Sequence, residues 1–113
     1  MKNTESLKKN NDFRIVYRNG KSVSNRLLVL YKLPNNTNRN RLGISVSKKV
    51  GNSVVRSRIT RLIRESYRKH EDKVSIGWDL VIIARNPANG ATFHEISGSM
   101  YDVFKKHKIY EDK

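Results

Sequence analysis

A chain of 113 residues has room for one domain with one modest core, since domains commonly run to about 100–150 residues. Its 24 Lys and Arg against 10 Asp and Glu leave a formal net charge of +14, a self-repulsion that points to a polyanionic partner, with nucleic acid first among them. The lack of cysteine excludes disulfides, thiolate metal sites and thiol nucleophiles, and no apolar run approaches the roughly 20 residues that span a bilayer, so a soluble protein is expected.

Residues 1–9 are polar and basic with no apolar segment behind the charges, which excludes a secretory signal and reads as a flexible arm on a single domain spanning 1–113. Phe13, Val16 and Tyr17 then recur at i, i+3 and i+4 between a possible Asn10 or Asn11 cap and Gly20, predicting a short helix. Gly20 to Asn25 leaves room for an additional strand. Leu27 to Leu33 predicts a well-covered strand with Leu27, Val29, Tyr31 and Leu33 on one face. After a polar turn over 34–40, Leu42, Ile44 and Val46 alternate with Gly43, Ser45 and Ser47, the mark of a strand with one apolar and one small polar face. From Asn52 to His70, Val55, Ile59, Leu62, Ile63 and Ser66 gather on one side of a helix and Arg61, Arg64 and Arg68 on the other, flanked by Arg58 and Lys69. Trp78 to Ala84 reads as a buried strand, and Thr92 to Lys108 as a closing helix opened by a Thr92/Glu95 capping box. Mixed order in so short a chain predicts an α+β sandwich of helices on a single sheet.

Between Lys48 and Lys69, eight basic residues stand against the single acid Glu65. A solvated helix face normally mixes signs to gain i,i+4 pairs. This one does not, and arginine, whose planar fork grips phosphate oxygens bidentately, predominates in it. Nucleic-acid binding is therefore favoured over a merely solubilising face. The turn Lys48-Lys49-Val50-Gly51-Asn52-Ser53 enters this helix and could welcome a phosphate, or be no more than a tight turn with a cap. Phe13, Tyr17 and Tyr31 supply rings that could stack on bases, although such rings taken alone are more often core. The ten acids are dispersed, and His70, His94 and His107 lack metal-ligand spacing, so no metal site and no protein-borne catalytic centre are assigned.

The stretch Ser45-Val46-Ser47-Lys48-Lys49-Val50-Gly51-Asn52-Ser53-Val54-Val55-Arg56-Ser57-Arg58, followed by Arg61-Leu62-Ile63-Arg64-Glu65, closely resembles the signature of the protein subunit of bacterial ribonuclease P. Asp12-Phe13, Tyr17, Gly20, Ser22-Val23-Ser24-Asn25-Arg26 and Ile82-Ile83-Ala84-Arg85 fall in that family's order and spacing, so the resemblance covers nearly the whole chain. It implies a cytoplasmic protein that assembles with a catalytic RNA and binds the 5′ leader of precursor tRNA, promoting endonucleolytic 5′ maturation. The RNA would hold the Mg2+ ions and perform the hydrolysis, the protein alone cleaving nothing and binding neither DNA nor membrane. The implied fold is an α-β sandwich whose mixed sheet contains a left-handed βαβ crossover, similar to the second domain of a small-subunit ribosomal protein.

Position by position, the resemblance assigns Lys48, Lys49, Asn52, Arg56, Arg58, Arg61, Arg64 and Arg68 to the catalytic RNA. It assigns Phe13, Tyr17, Tyr31, Ser45, Ser47, Arg56, Ser57, Thr60 and Arg64 to a leader-binding cleft. Two positions depart from the family pattern: Arg56-Ser57-Arg58 stands where Arg-Asn-Arg is common, and Thr60 where a basic residue is common. Serine forgoes the reach and donors of the amide, and Thr60 removes one positive charge from the helix. The alternative function is a ribosomal-type protein that sits on ribosomal RNA with no part in cleavage.

Overall fold

Residues 28–34 and 78–84 carry apolar side chains at odd and even positions alike, a pattern a strand satisfies only when both faces of its sheet are covered. The computed structural model, which describes residues 1–111, puts these two segments side by side inside a five-stranded sheet. In chain order the elements are β1 (Thr4–Ser6), α1 (Asn10–Asn19), β2 (Lys21–Ser24), β3 (Leu28–Pro34), β4 (Asn40–Ser45), α2 (Ser53–His70), β5 (Trp78–Ala84) and α3 (Phe93–Lys106), with single 3-10 turns at Glu71–Lys73 and Asn86–Ala88. The strands lie in the order β1-β4-β5-β3-β2. β1, β4 and β5 run parallel, and β3 is antiparallel to both β5 and β2. The expected α+β sandwich with a mixed sheet is what forms, with α2 as the crossover between parallel neighbours β4 and β5.

Two helices cover one face and one helix the other. Leu28, Leu30, Leu42, Leu80 and Ile82 meet Ile59, Ile63 and Tyr67 of α2 and Ile96, Met100, Val103 and Phe104 of α3 in the larger core. On the opposite face Val81 meets Val16 of α1 and Leu7, with Phe13, Tyr31, Leu33 and Ile83 packed around them. Among the described residues no helix is long and apolar enough to cross a membrane.

The helix starts follow from local chemistry. The Asn52 side chain accepts the Val55 N–H at 3.0 Å to cap α2, and Thr92 and Glu95 form the reciprocal box at α3, with bonds of 3.2 and 3.0 Å. At α1 neither Asn10 nor Asn11 caps; Lys9 occupies the cap position without a side-chain bond. The closing helix stops at Lys106, two residues short of expectation, because Lys108 turns into the left-handed region at φ 60°. Leu27 also departs from its expected face: the Asn25 side chain accepts the N–H groups of Leu27 and Leu28, and this turn breaks the alternation before β3 begins. Leu27 therefore joins the larger core, while Tyr31 and Leu33 point to the α1 side.

The flexible arm expected over 1–9 does not describe Thr4–Leu7. Thr4, Glu5 and Ser6 pair with Asn40, Arg41 and Leu42, and Leu7 is buried. The Glu71 carboxylate holds the strand in register by accepting the backbone N–H groups of Lys2 at 3.0 Å and Asn3 at 3.1 Å. Burial raises the Glu71 pKa, but the Thr4 hydroxyl, those two N–H groups and the terminal amine outweigh it, so the pKa lies below its ordinary 4.5. A carboxylate depressed in this way stabilises the fold above its unfolded pKa, and the contribution is lost as pH falls through the folded value. Glu71→Gln should thus lower stability at neutral pH by about 1.5–3 kcal/mol. Urea unfolding should show that gap closing in acid, and a gap of constant size at both pH values would mean that the ionised carboxylate is not the clasp.

Candidate nucleic-acid interface

β1 is only three residues long, so it covers only the first part of β4. The Leu7 N–H donates to the Leu42 carbonyl at 2.9 Å and closes the pairing. Backbone groups alternate sides along a strand, so the N–H and C=O of Ile44, two residues on, face the same edge where no strand follows. This open edge lies between α1 and α2. Ile44 lines three neighbouring hollows: one of about 230 Å³ with Leu7, Phe13 and Arg64, one of about 350 Å³ with Phe13, Arg14, Tyr17 and Ser45, and one of about 490 Å³ with Arg56, Ser57, Thr60 and Arg64. Together they make a groove with an aromatic wall on one side and an arginine wall on the other.

The aromatic wall depends on a glycine in the strand below it. A Cβ at Gly43 would stand 2.6 Å from the Phe13 ring, so only glycine lets that ring lie on the sheet. Phe13 is followed by Tyr17 at 6.3 Å between centroids, and Tyr17 meets Tyr31 edge-on at 5.2 Å. Tyr31 sits behind Tyr17 in the smaller core and lines none of the three hollows. Burial raises the Tyr17 hydroxyl pKa, a hydrogen bond with Ser45 lowers it in part, and Tyr31 adds to the rise. The helix itself is fastened through Arg41, whose Nε and Nη2 donate to both oxygens of the buried Asp79 at 2.8 and 2.6 Å and whose Nη1 lies 3.6 Å from Asp12 of α1.

On α2, burial of Ile59, Ile63, Ser66, Tyr67 and His70 turns the arginines outward. Among the described residues, none of Arg56, Arg58, Arg61, Arg64 and Arg68 forms an ion pair. Arg56 donates to the Gly51 carbonyl at 3.3 Å and Arg58 to that of Ala91 at 3.1 Å, fixing both side chains near the start of the helix. The two sides of α2 differ: Arg56, Ser57, Thr60 and Arg64 line the groove, whereas Arg58 and Arg61 line a separate hollow of about 440 Å³ with Ser53 and Val54. Arg68 is exposed two turns further on. Lys48 and Lys49 are exposed in the turn before α2, the Asn52 side chain is engaged in the cap, and Ser47 lies beyond β4 with its carbonyl accepting the Val50 N–H. The Thr60 hydroxyl donates to the Arg56 carbonyl at 2.9 Å.

Sequence reasoning passed over Ile44, Arg14 and Leu7 as groove residues, and the Asp12–Arg41–Asp79 tie altogether. The glycine in an otherwise regular alternation at Gly43 was a readable sign of close approach. Among the described residues no group of three or more His, Asp or Glu side chains could hold a metal ion.

A sheet edge left open between a row of rings and a helix whose arginines have no acid partner among the described residues defines a small α+β protein of the RNA-binding class. The sequence profile of ribonuclease P matches residues 1–108. The chain belongs to the ribonuclease P protein family. It is 56% identical over 107 residues to the ribonuclease P protein component of Clostridium kluyveri, covering 93% of this chain and 96% of that one. The RNase P protein of Staphylococcus aureus superposes with a TM-score of 0.86 at 42% identity, over 94% of this chain and 97% of that one. That of Thermotoga maritima superposes with a TM-score of 0.83 at 27% identity, over 90% and 96%.

The contact between Gly43 and Phe13 is open to a direct check. Gly43→Ala should cost about 1–3 kcal/mol by overpacking, and Phe13→Leu, which withdraws the ring, should relieve much of that penalty in the double variant. Chemical denaturation of the wild type, both single variants and the double variant measures the coupling. Additive losses would mean that the ring does not rest on residue 43.

Proposed function

We propose that this protein is the RNA-binding subunit of a ribonuclease P ribonucleoprotein, in which it anchors the catalytic RNA through α2 and receives the 5′ leader of precursor tRNA in the groove. The observation that carries this reading is the pairing, across one groove, of the Phe13 and Tyr17 rings with guanidinium groups that have no acid partner among the described residues. Single-stranded nucleic acid asks for both at once, since its bases have faces to stack and its phosphates need cations. Phe13 and Tyr17 would take bases, while Arg56 and Arg64 would take phosphates from the opposite wall. The open N–H of Ile44, beside the Ser45 hydroxyl, offers a neutral donor between them. Arg58, Arg61 and Arg68, together with Lys48 and Lys49, present the remaining charge to the catalytic RNA. In this assignment hydrolysis and the Mg2+ ions belong to the RNA, and the protein raises affinity for the precursor over the mature product. The work would be done in the cytoplasm.

Cleavage of a precursor tRNA at low magnesium by bacterial ribonuclease P RNA, with and without this protein, tests the reading. The mixture should release an intact leader where the RNA alone reacts poorly and the protein alone not at all. Charge reversal in R61E/R64E should abolish assembly with the RNA, and F13A/Y17A should lose about 1–3 kcal/mol of precursor affinity per stacked base with mature tRNA binding unchanged. Protein that binds the RNA and alters neither cleavage nor leader discrimination would point instead to a ribosomal-type role.

A further inference from the structure

Away from the groove, a second basic cluster lies toward the opposite edge of the sheet, on β2 and β3. Lys21 and Lys32 are paired partners across β2 and β3, and Lys32 is flanked along β3 by Leu30, which faces α2 and α3. Lys32 is therefore on the side opposite α1. Its Nζ donates to the His107 carbonyl at 2.8 Å and stands 4.7 Å above the centre of the Trp78 ring. Lys108, the next residue after His107, is held at φ 60°, a backbone conformation that glycine adopts most readily. Asn19, Lys21, Lys32, Pro34 and Trp78 enclose a hollow of about 170 Å³. Trp78 opens β5 at the end of the sheet where β4 also begins, whereas α2 starts from the far end, beyond Ser45.

Charge in this hollow is unbalanced. Among the described residues, no acid forms an ion pair with Lys21, Lys32 or Lys108. Burial pushes the Lys32 pKa down, and repulsion from Lys21 and Lys108 pushes it further. Elsewhere the structure does supply acids to its lysines, as with Lys2 and Asp72 or Lys106 and Asp102. Lys32 has three donors and the His107 carbonyl takes one, leaving two for a ligand beside the exposed Lys21, with the exposed Lys108, next after His107, close enough to repel Lys32. A compact anion bordered by an aromatic ring would relieve the repulsion and satisfy those donors. Lysine acts as a point charge for phosphate, without the planar match to carboxylate that favours arginine.

We propose that Lys21, Lys32 and Lys108 form a second phosphate-binding site, beside Trp78 toward the edge of the sheet opposite the groove, which takes a phosphodiester of the partner RNA. The proposal rests on the reading of the protein as an RNA-binding subunit and adds a contact that the α2 arginines and the groove do not reach. The protein would then be gripped from two sides.

Trp78 is the single tryptophan of the chain, so its fluorescence reports on the site directly. Bacterial ribonuclease P RNA should change that fluorescence, and K21Q/K108Q should weaken RNA binding by about tenfold while lowering the slope of log affinity against log salt by about 2. The control K2Q/K106Q removes the same charge from lysines that already have acid partners and should leave affinity and slope unchanged. Equal weakening by both pairs would reduce the effect to net charge and overturn the proposal. So would a fluorescence response to inorganic phosphate with RNA affinity unaltered in K21Q/K108Q, which would make the hollow a free-anion site only. R61E/R64E separates the two readings: if it abolishes RNA binding while K21Q/K108Q does nothing, the second site fails alone, and if it too changes nothing, the subunit reading fails with it.

Discussion

The hold of Glu71 on the first backbone amides decides how much of the sheet is left open. The carboxylate lies just past the end of α2, and the N–H groups it accepts precede β1 by one and two residues. Fixing Lys2 and Asn3 there fixes Thr4 against Asn40 and stops the pairing at Leu42. Everything along β4 after that point faces solvent at its edge, and Leu7, carried past the end of β1, comes to lie beneath Phe13. One buried carboxylate thus sets both the beginning of the groove and the seat of its first ring.

The dispersed acids acquire a reason in the same light. Asp79 and Asp12 hold Arg41, Asp102 accepts from Asn25 and pairs with Lys106, Glu95 completes the α3 cap, and Glu71 clasps the N-terminus. Negative charge is engaged in joining elements, often across long separations in the chain, and among the described residues the arginines of α2 are left without acid partners. A chain carrying so large a positive charge would repel itself less with its acids spread among its bases. This one keeps most of them for ties within and between elements and leaves α2 with Glu65 alone against its arginines, at a stability cost that a polyanion would offset on binding.

Elements with sustained periodicity were legible from the sequence alone. α2 shows five turns of segregated apolar and basic residues, and β5 is apolar at every position but Asp79, so neither needs knowledge of its partner. The capping side chains of Asn52 and Thr92 were readable for the same reason: they act within three residues. β1 was not, because three residues carry no period and its stability comes from Glu71, nearly seventy residues away. Leu27 was misplaced because the Asn25 turn shifts the start of β3, a competition between side chain and backbone that alternation cannot register. The site divides along the same line. The arginines were visible as a helical stripe, whereas Ile44 became a groove residue only through the shortness of β1.

The two departures from the family pattern also take on a physical meaning in the groove. Arg56 and Arg64 are eight positions apart on α2, a rise of about 12 Å, and Ser57 and Thr60 occupy the wall between them. The Thr60 hydroxyl is already satisfied by the Arg56 carbonyl, so it makes no demand on a ligand, and its short side chain leaves the width of the groove intact. A longer basic residue there would bridge the gap between the guanidinium groups and narrow the floor around Ile44. In the proposed complex this chain grips phosphates at two separated points with uncharged space between them. Recognition in that interval then falls to the opposite wall, where Phe13 and Tyr17 face the gap and any base can stack.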